Sequence, residues 1–260
     1  MIDTIGLLTS RSQEALWLGL IVFLRVGATL ALVPLFGEQV IPMRVRIAIS
    51  LAFTLIVAPA AIPAGFAMPT SFRGAIGLTG PEVLAGIFFG LLLRFMIFAL
   101  QIAGAIIAQS TSLSQLFGGT AGADPQAAVG QILTVTALAL VALTGLHTTF
   151  AAYMLQTYAM VPVGAPISAA LVAEIGVRSV AQTFVLGFTL AVPFVVASLL
   201  YNVMLGIMNR AMPQLMVSFV GAPAIAGGGL VLLWVCAPIL LPIWLNAFAA
   251  TLALPGGQMP

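Results

Sequence analysis

Charge is what this sequence has least of. Only eight of its 260 residues are Lys or Arg and six are Asp or Glu, 5% in all, against about 25% in a soluble domain. Hydrophobic residues make up 62%, more than a domain of this size could hide from water. These figures exclude a soluble enzyme and a disordered chain. The net charge of +2, carried by scattered basic residues, also excludes a nucleic-acid-binding protein.

Reactive side chains are almost missing as well. Every basic residue is Arg, so no lysine can form a Schiff base. Cys236 is the only cysteine and His147 the only histidine, which leaves neither a disulfide within the chain nor a His/Cys zinc site. We therefore expect no cofactor, no metal and no enzymatic activity. His147 has no acidic neighbour and is interpreted as a hydrogen-bonded helix residue rather than a catalyst.

Long apolar runs dominate the rest of the chain. A helix of about 20 apolar residues crosses a bilayer core about 30 Å thick, and open strands cannot satisfy their backbone groups in lipid. The sequence therefore predicts an all-α, multi-span membrane protein of about six kinked hydrophobic helices or helical hairpins, in one domain covering residues 1–260. The first run is too long for a signal peptide, and the last is long enough to bend back as a hairpin. The six runs are Ala15–Phe36, Ile47–Ala67, Val83–Ala108, Val129–Val161, Val180–Met208 and Leu215–Leu254.

Prolines and glycines interrupt several of these runs. Pro59, Pro63 and Pro193 lie inside them, and the last run holds three prolines and a triple glycine. Proline removes a helix hydrogen bond and clashes with the preceding turn, so we expect kinks or breaks there. The alternative is that Pro and Gly are simply more frequent in membrane helices. With six alternating spans, the arginines outside the runs divide three against three, so the positive-inside rule gives no orientation.

Two arginines fall inside apolar runs, Arg25 and Arg94. An arginine at mid-membrane costs roughly 2.5–3.5 kcal/mol on insertion scales. We interpret both as buried polar contacts within an assembly, the alternative being side chains that snorkel to the interface. No Asp or Glu lies inside an apolar run, which disfavours a proton-coupled pump.

The longest polar interruption is Gln109–Gln126, QSTSLSQLFGGTAGADPQ. It is either an ordinary solvent loop or a mobile plug, in which glycines supply freedom and apolar residues supply a seal. Further along, Met204, Met208, Met212 and Met216 recur every four residues. Methionine adapts to irregular surfaces, although such a stripe is more often core or lipid-facing. Gly86 and Gly90 form a close-packing pattern of membrane helices.

Two long segments, Leu24–Pro59 and Gly187–Gly229, resemble the FliR family of flagellar biosynthetic proteins. The resemblance depends on Arg25, on Pro34 and on the P-x-R-V-R motif at Pro42–Arg46. Three further marks are LGIMNRAMPQ at Leu205–Gln214, the pair Asp124-Pro125 and the turn Gly145-x-His147. Their order and spacing hold over nearly the whole chain.

The resemblance implies a channel-forming subunit of the type III export gate, a FliP-like fold combined with a FliQ-like hairpin, in the bacterial inner membrane and flagellar basal body. Implied partners are FliP-like and FliQ-like gate subunits, FlhB-like and FlhA-like components, unfolded export substrates and membrane lipid. The family's channel plug maps onto Ser110–Asp124, although the Gly-rich stretch Gly118–Ala123 is longer than the family pattern. The resemblance therefore does not assign plug residues one by one. From the chemistry of the segment itself we expect the plug at Leu113, Leu116, Phe117, Gly118, Gly119, Gly122 and Asp124, and a gasket at Met208 and Met212.

Two alternatives stay open at this point. The homologous gate subunit of a virulence injectisome shares the same fold. A small-solute secondary transporter would also use broken helices and polar groups at mid-membrane, but this chain lacks carboxylates for ion coupling and has no obvious inverted repeat.

Overall fold

The structure, a computed structural model, describes residues 2–62, 72–111, 125–211 and 217–253. These residues form seven α-helices and no strand. The prediction of an all-α fold is confirmed. In chain order the helices are α1 Ile2–Leu30, α2 Met43–Ala61, α3 Phe72–Ser110, α4 Pro125–Leu143, α5 Leu146–Met160, α6 Ala169–Ala211 and α7 Val217–Ala253.

Four of these helices are long and apolar enough to cross a membrane, namely α2, α3, α6 and α7. A fifth span results if α4 and α5 are counted together. The apolar part of α1 is shorter, Leu16–Leu30. The chain is therefore a multi-pass helical membrane protein, with four or five candidate spans in its described part.

Two helices, α3 and α6, continue well beyond the apolar runs that predicted them. α3 begins at Phe72 and includes Pro81, where the sequence predicted a connector. α6 begins at Ala169 and is 43 residues long. Hydropathy marks only where a helix is apolar, and the hydrogen-bonded backbone continues until a residue stops it. α1 shows the opposite case, because it ends at Leu30, four residues before Pro34, whose ring would clash with the Leu30 carbonyl.

Two of the predicted runs are interrupted differently from a simple straight helix or hairpin. The run Val129–Val161 passes as a span only with its two helices taken together, and these are bent by 86°. The bend lies at the turn that the resemblance marked, where Gly145 has a left-handed φ of 75° that a residue with a Cβ adopts only at a cost. The predicted hairpin in the last run is one unbroken helix, α7. The helix also continues through Pro59 in α2 and Pro193 in α6, since each proline frees only one local carbonyl.

The chain divides into two compact units. Unit 1 contains Met1–Arg94, Ala142–Ser179 and Ala249–Pro260, and unit 2 contains Phe95–Val141 and Val180–Phe248. The core of unit 1 includes Val22, Val26, Phe89, Phe150 and Tyr153, and that of unit 2 includes Leu100, Ile107, Leu190, Phe194 and Trp244, all nearly inaccessible to solvent. Each unit is described by itself below.

Candidate functional site

Arg25 is the centre of a buried polar cluster in unit 1. Its side chain and that of Glu82 are both 0% exposed. The guanidinium donates to the Glu82 carboxylate from Nε at 2.8 Å and from Nη2 at 3.0 Å, the bidentate geometry that makes such pairs strong. One charge on α1 is thus neutralised by one charge on α3.

The remaining guanidinium donors point at backbone carbonyls near the end of α5. Nη1 donates to Val161 O at 2.7 Å and to Thr157 O at 3.4 Å, and Nη2 donates to Pro162 O at 3.4 Å. Carbonyls at the C-terminal end of a helix carry partial negative charge, and Thr157 O accepts from Val161 N at 2.9 Å as well. Arg25 therefore binds the buried end of α5 while using all five of its N–H groups.

Glu82 accepts two further hydrogen bonds. The Tyr158 hydroxyl donates to Oε2 at 3.2 Å, and Gly164 N donates to Oε1 at 2.7 Å. The Tyr158 ring also lies under the guanidinium, with 3.9 Å between Arg25 Cζ and the ring centroid, a cation–π contact. The cluster thereby fixes α1, α3, the end of α5 and the segment after it in one arrangement.

Close helix contact surrounds this cluster. A Cβ added to Gly86 would lie 2.5 Å from Arg25 O, and one added to Gly90 would lie 2.8 Å from Thr29 O. The Thr29 hydroxyl lies 2.8 Å from Arg25 O and 3.1 Å from Gly86 O. The two glycines let the backbone of α3 touch that of α1, as expected for a small-xxx-small pair.

Arg94 belongs to a second, half-buried cluster in unit 1. Arg94 Nη1 donates to Glu38 Oε1 at 2.6 Å, and the two side chains are 25% and 26% exposed. Arg46 Nη2 donates to the backbone carbonyl of Glu38 at 3.0 Å, while Arg46 Nε has no hydrogen-bond partner in the described part of the chain. Two guanidinium groups thus converge on one acidic residue.

Both mid-run arginines therefore have partners within the chain, and the sequence named neither partner. Glu82 was missed because it lies immediately after Pro81, in a stretch that was predicted to be a connector. A signal was available: an arginine in an apolar run needs a counter-charge, the chain has only six acidic residues, and Glu82 adjoins the run beginning at Val83. The role of these residues in assembly stays a prediction.

The stem of the predicted plug is held within unit 2. Ser198 Oγ on α6 donates to Ser110 O at 2.6 Å, and Asn202 Nδ2 donates to Ser198 O at 2.9 Å. A Cβ on Gly229 of α7 would lie 2.7 Å from Thr111 Cγ2. The start of the segment is thus fixed by two helices. The plug residues themselves, Leu113, Leu116, Phe117, Gly118, Gly119, Gly122 and Asp124, lie outside the described residues.

The other predicted positions lie apart from these clusters. Met208 lies on α6 and is 43% exposed, whereas Met212 lies outside the described residues. His147 is exposed in the first turn of α5. Among the described residues, no group of three His, Cys, Asp or Glu side chains could hold a metal ion.

Comparison with known proteins gives a consistent set of relatives. The model of the family described as bacterial export proteins, family 1, matches residues 16–251. The chain is 33% identical over 229 residues to the flagellar biosynthetic protein FliR of Caulobacter vibrioides, covering 88% of this chain and 91% of the relative. It is 27% identical to FliR of Escherichia coli K12, with 90% of each chain covered. It is also 27% identical to FliR of Bacillus subtilis 168, with 90% of this chain and 91% of the relative covered.

Proposed function

The chain belongs to the family of bacterial export proteins, family 1, and from that premise we propose that it is a channel-forming subunit of the flagellar type III protein export apparatus. The observation that carries the proposal is similarity along nearly the full length to proteins named flagellar biosynthetic protein FliR. The subunit acts by structure rather than by catalysis. It contributes to a gate through which unfolded flagellar proteins cross the inner membrane at the basal body.

The partners we propose are FliP-like and FliQ-like gate subunits, with FlhB-like and FlhA-like components beside them. The length of α6 supports an assembly. Its 43 residues make a helix roughly 65 Å long, about twice the bilayer core of about 30 Å. A helix of that length projects well beyond lipid even when it is tilted.

The surface of α6 supports the same proposal. Phe184, Phe188, Val192, Leu199 and Ile207 are between 49% and 66% exposed in the isolated chain. Monomeric soluble surfaces rarely carry so long an apolar stripe. Since lipid can cover only part of a helix this long, neighbouring protein subunits cover the remainder.

The plug of the proposed channel is the segment Ser110–Asp124. Leu113, Leu116 and Phe117 are suited to close a pore, because apolar constrictions exclude water and ions. Gly118, Gly119 and Gly122 give the segment freedom to move, and Asp124 precedes the start of α4. The anchored stem at Ser110 and Thr111 supports a loop that moves about one fixed end. Met208 and Met212 form the deformable gasket.

The relatives favour the flagellar apparatus over the two alternatives. The matched proteins from three distantly related bacteria all carry the flagellar FliR name. Neither the injectisome counterpart nor a small-solute transporter has a comparable observation in its favour.

A deletion in the source bacterium tests the proposal. We expect a strain lacking this chain to stop swimming and to stop secreting hook protein and flagellin while it still synthesises them. An affinity-tagged copy should restore both activities and co-purify the FliP-like and FliQ-like subunits in fixed ratio. A control copy carrying Val231→Ala, at an exposed apolar position of α7, should restore swimming fully. Normal secretion in the deletion strain would refute the proposal.

A further inference from the structure

The turn between α1 and α2 contains a strained residue. Leu35 has a φ of 77° and is the one non-glycine with positive φ in the part of the chain that the structure describes. A left-handed backbone brings Cβ too close to the following carbonyl oxygen, and leucine has no short polar side chain that could offset the cost by a local hydrogen bond. Such strain persists only where the surrounding structure imposes it, and it is concentrated at functional sites and in switch regions.

The neighbours of Leu35 are held by the core of unit 1. Pro34 is buried. The ring centroid of Phe36 lies 6.0 Å from that of Phe53 and 6.3 Å from that of Phe150, and Phe150 is fully buried. Leu35 thus lies between two anchored residues, which restrict its own backbone.

The other end of the turn is held by charge. Glu38 lies three residues after Leu35. Its Oε1 accepts a hydrogen bond from Arg94 Nη1 at 2.6 Å, and its backbone O accepts one from Arg46 Nη2 at 3.0 Å. The side chains of the ion pair are only half-buried, so a competing charge can reach them. Val40, two residues further on, is 91% exposed, so little packing within the chain resists a movement here. The ion pair is therefore the restraint that can be released.

We propose that residues 34–38 form a conformational switch that the Glu38–Arg94 ion pair controls. While the pair is closed, the turn keeps the strained φ at Leu35. When the pair opens, Leu35 moves to a negative φ and the backbone between Glu38 and the start of α2 is released. Strain favours the open form and the ion pair favours the closed form, so a change at the pair shifts the populations of the two. This inference uses contacts within unit 1 and does not rest on the proposed export function.

Hydrogen exchange of the full chain measures the population of the open turn. Two reporter amides belong to the turn, since Gly37 N donates to Val33 O at 2.8 Å and Ile41 N donates to Glu38 O at 3.0 Å. An amide exchanges when such a bond opens. The protein is purified in whatever assembly it forms in its own membrane, and exchange is followed by mass spectrometry with fragmentation that resolves single residues.

Two substitutions separate the strain from the leucine side chain. Leu35→Gly and Leu35→Ala both remove that side chain, but only glycine adopts a φ of 77° without strain. We expect the two reporter amides to exchange roughly fivefold more slowly in the glycine variant than in the alanine variant. At an unstrained position the order is reversed, because glycine has more conformational freedom to lose. Equal protection in the two variants, or better protection with alanine, would overturn the proposal.

Glu38→Gln removes the charge of the ion pair and keeps the size of the side chain. We expect both reporter amides to exchange about threefold to fivefold faster, the range that a half-exposed ion pair allows. Adding Leu35→Gly to this variant should restore much of the lost protection, whereas adding Leu35→Ala should not. Wild-type exchange rates in the Glu38→Gln protein would show that the pair does not hold the turn.

Glu174→Gln is the matched control. It neutralises a carboxylate of another ion pair in unit 1, Arg178–Glu174, and should leave exchange at Gly37 and Ile41 unchanged. If Glu38→Gln prevents folding or assembly, the wild-type protein is compared at low and high salt. High salt weakens a half-exposed ion pair, so exchange at both reporter amides should become faster. Rates at these amides that do not change with salt would then refute the switch.

Discussion

At the scale of single residues, the Arg25–Glu82 pair is the most demanding feature of the molecule. Burying two charges costs several kcal/mol each, and their attraction offsets this cost only when the other donors and acceptors are also satisfied. Here Tyr158, Gly164 and three backbone carbonyls complete the set. The pair therefore stabilises one arrangement of helices only while both members are present.

We expect Arg25→Leu to destabilise the protein by about 3–5 kcal/mol, because Glu82 is left buried without a counter-charge. Adding Glu82→Leu should recover much of that loss. Thermal unfolding of the purified assembly in mild detergent, together with its yield, measures both effects. The control is Arg178→Leu, which breaks the exposed Arg178–Glu174 pair at 3.2 Å and should cost about 1 kcal/mol or less. Single and double variants with equal melting temperatures would contradict this account.

Sequence alone identified the two arginines of the site but not the residues around them. Arg25 and Arg94 stand out because charge is rare within apolar runs. The acceptors of Arg25 include backbone carbonyls at Thr157 and Val161, more than 130 residues away in sequence, and a carbonyl has no residue-type signature. Glu38 was missed for a similar reason, since it lies in a turn that only the fold brings to Arg94.

At the scale of elements, the contact between α1 and α3 depends on two glycines, which have no side chain to hold the helices apart. Gly86 and Gly90 are one turn apart and both touch the backbone of α1. Gly77 and Gly80 lie on the same helix and have nothing within 4 Å of an added Cβ. The same residue type thus has two different roles along one helix.

We expect Gly86→Ala to destabilise the protein by about 1–3 kcal/mol, because its Cβ would overlap Arg25 O and force the helices apart. Gly80→Ala should be neutral or slightly stabilising, since alanine favours the helix and the space is open. Comparing the two melting temperatures separates packing from helix propensity. Equal effects of the two substitutions would show that the close approach has no energetic weight.

The segment after α3 carries a prediction about ion flow. We expect Leu116→Ser with Phe117→Ser, or shortening of Gly118–Ala123, to make the membrane leaky to small ions while the subunits still assemble, since a polar constriction stays wet. Conductance and growth under salt stress, in cells that carry the whole complex, give the readout. The matched control is Ser114→Ala with Thr120→Ala in the same segment, which should not leak. If the serine variant assembles with its partners and the membrane does not leak ions, the segment is only a connector.

Helix type was predictable for nearly every element, whereas helix ends were not. The thickness of the bilayer sets the length of the apolar stretch in a membrane helix, whereas the residues at which the helix begins and ends depend on local chemistry. Gly145 bends α4 from α5 because of its left-handed φ of 75°, and the sequence marked this turn only through a family resemblance. Gly227–Gly229 suggested a hairpin, yet α7 runs through them, since glycine lowers helix stability without forbidding a helix.

At the scale of the whole molecule, the chain leaves many large apolar side chains exposed. Trp234 is 80% exposed, Leu55 77% and Leu199 63%, on three different helices. Each unit has its own core, but these faces need lipid or other subunits. We take this surface as the reason why the chain belongs in an assembly.

We expect the chain expressed without its partners to be unstable or to misassemble. Size-exclusion chromatography and thermal melting in mild detergent should show aggregates or a broad, low transition, and co-expression with FliP-like and FliQ-like subunits should give a sharp one. Co-expression with an unrelated membrane protein is the control. A monodisperse, cooperatively melting monomer would contradict the expectation.

The buried Arg25 cluster also determines when, during synthesis, the first helix can reach its final position. Arg25 leaves the ribosome 57 residues before Glu82 and 132 residues before Thr157. At about 5–20 residues per second, the first helix waits roughly 3–11 s for its counter-ion and about 7–26 s for its carbonyl partners. During that interval an unpaired cation must be sheltered by the insertion machinery or held at the lipid headgroups, and α1 settles only after most of the chain has been translated.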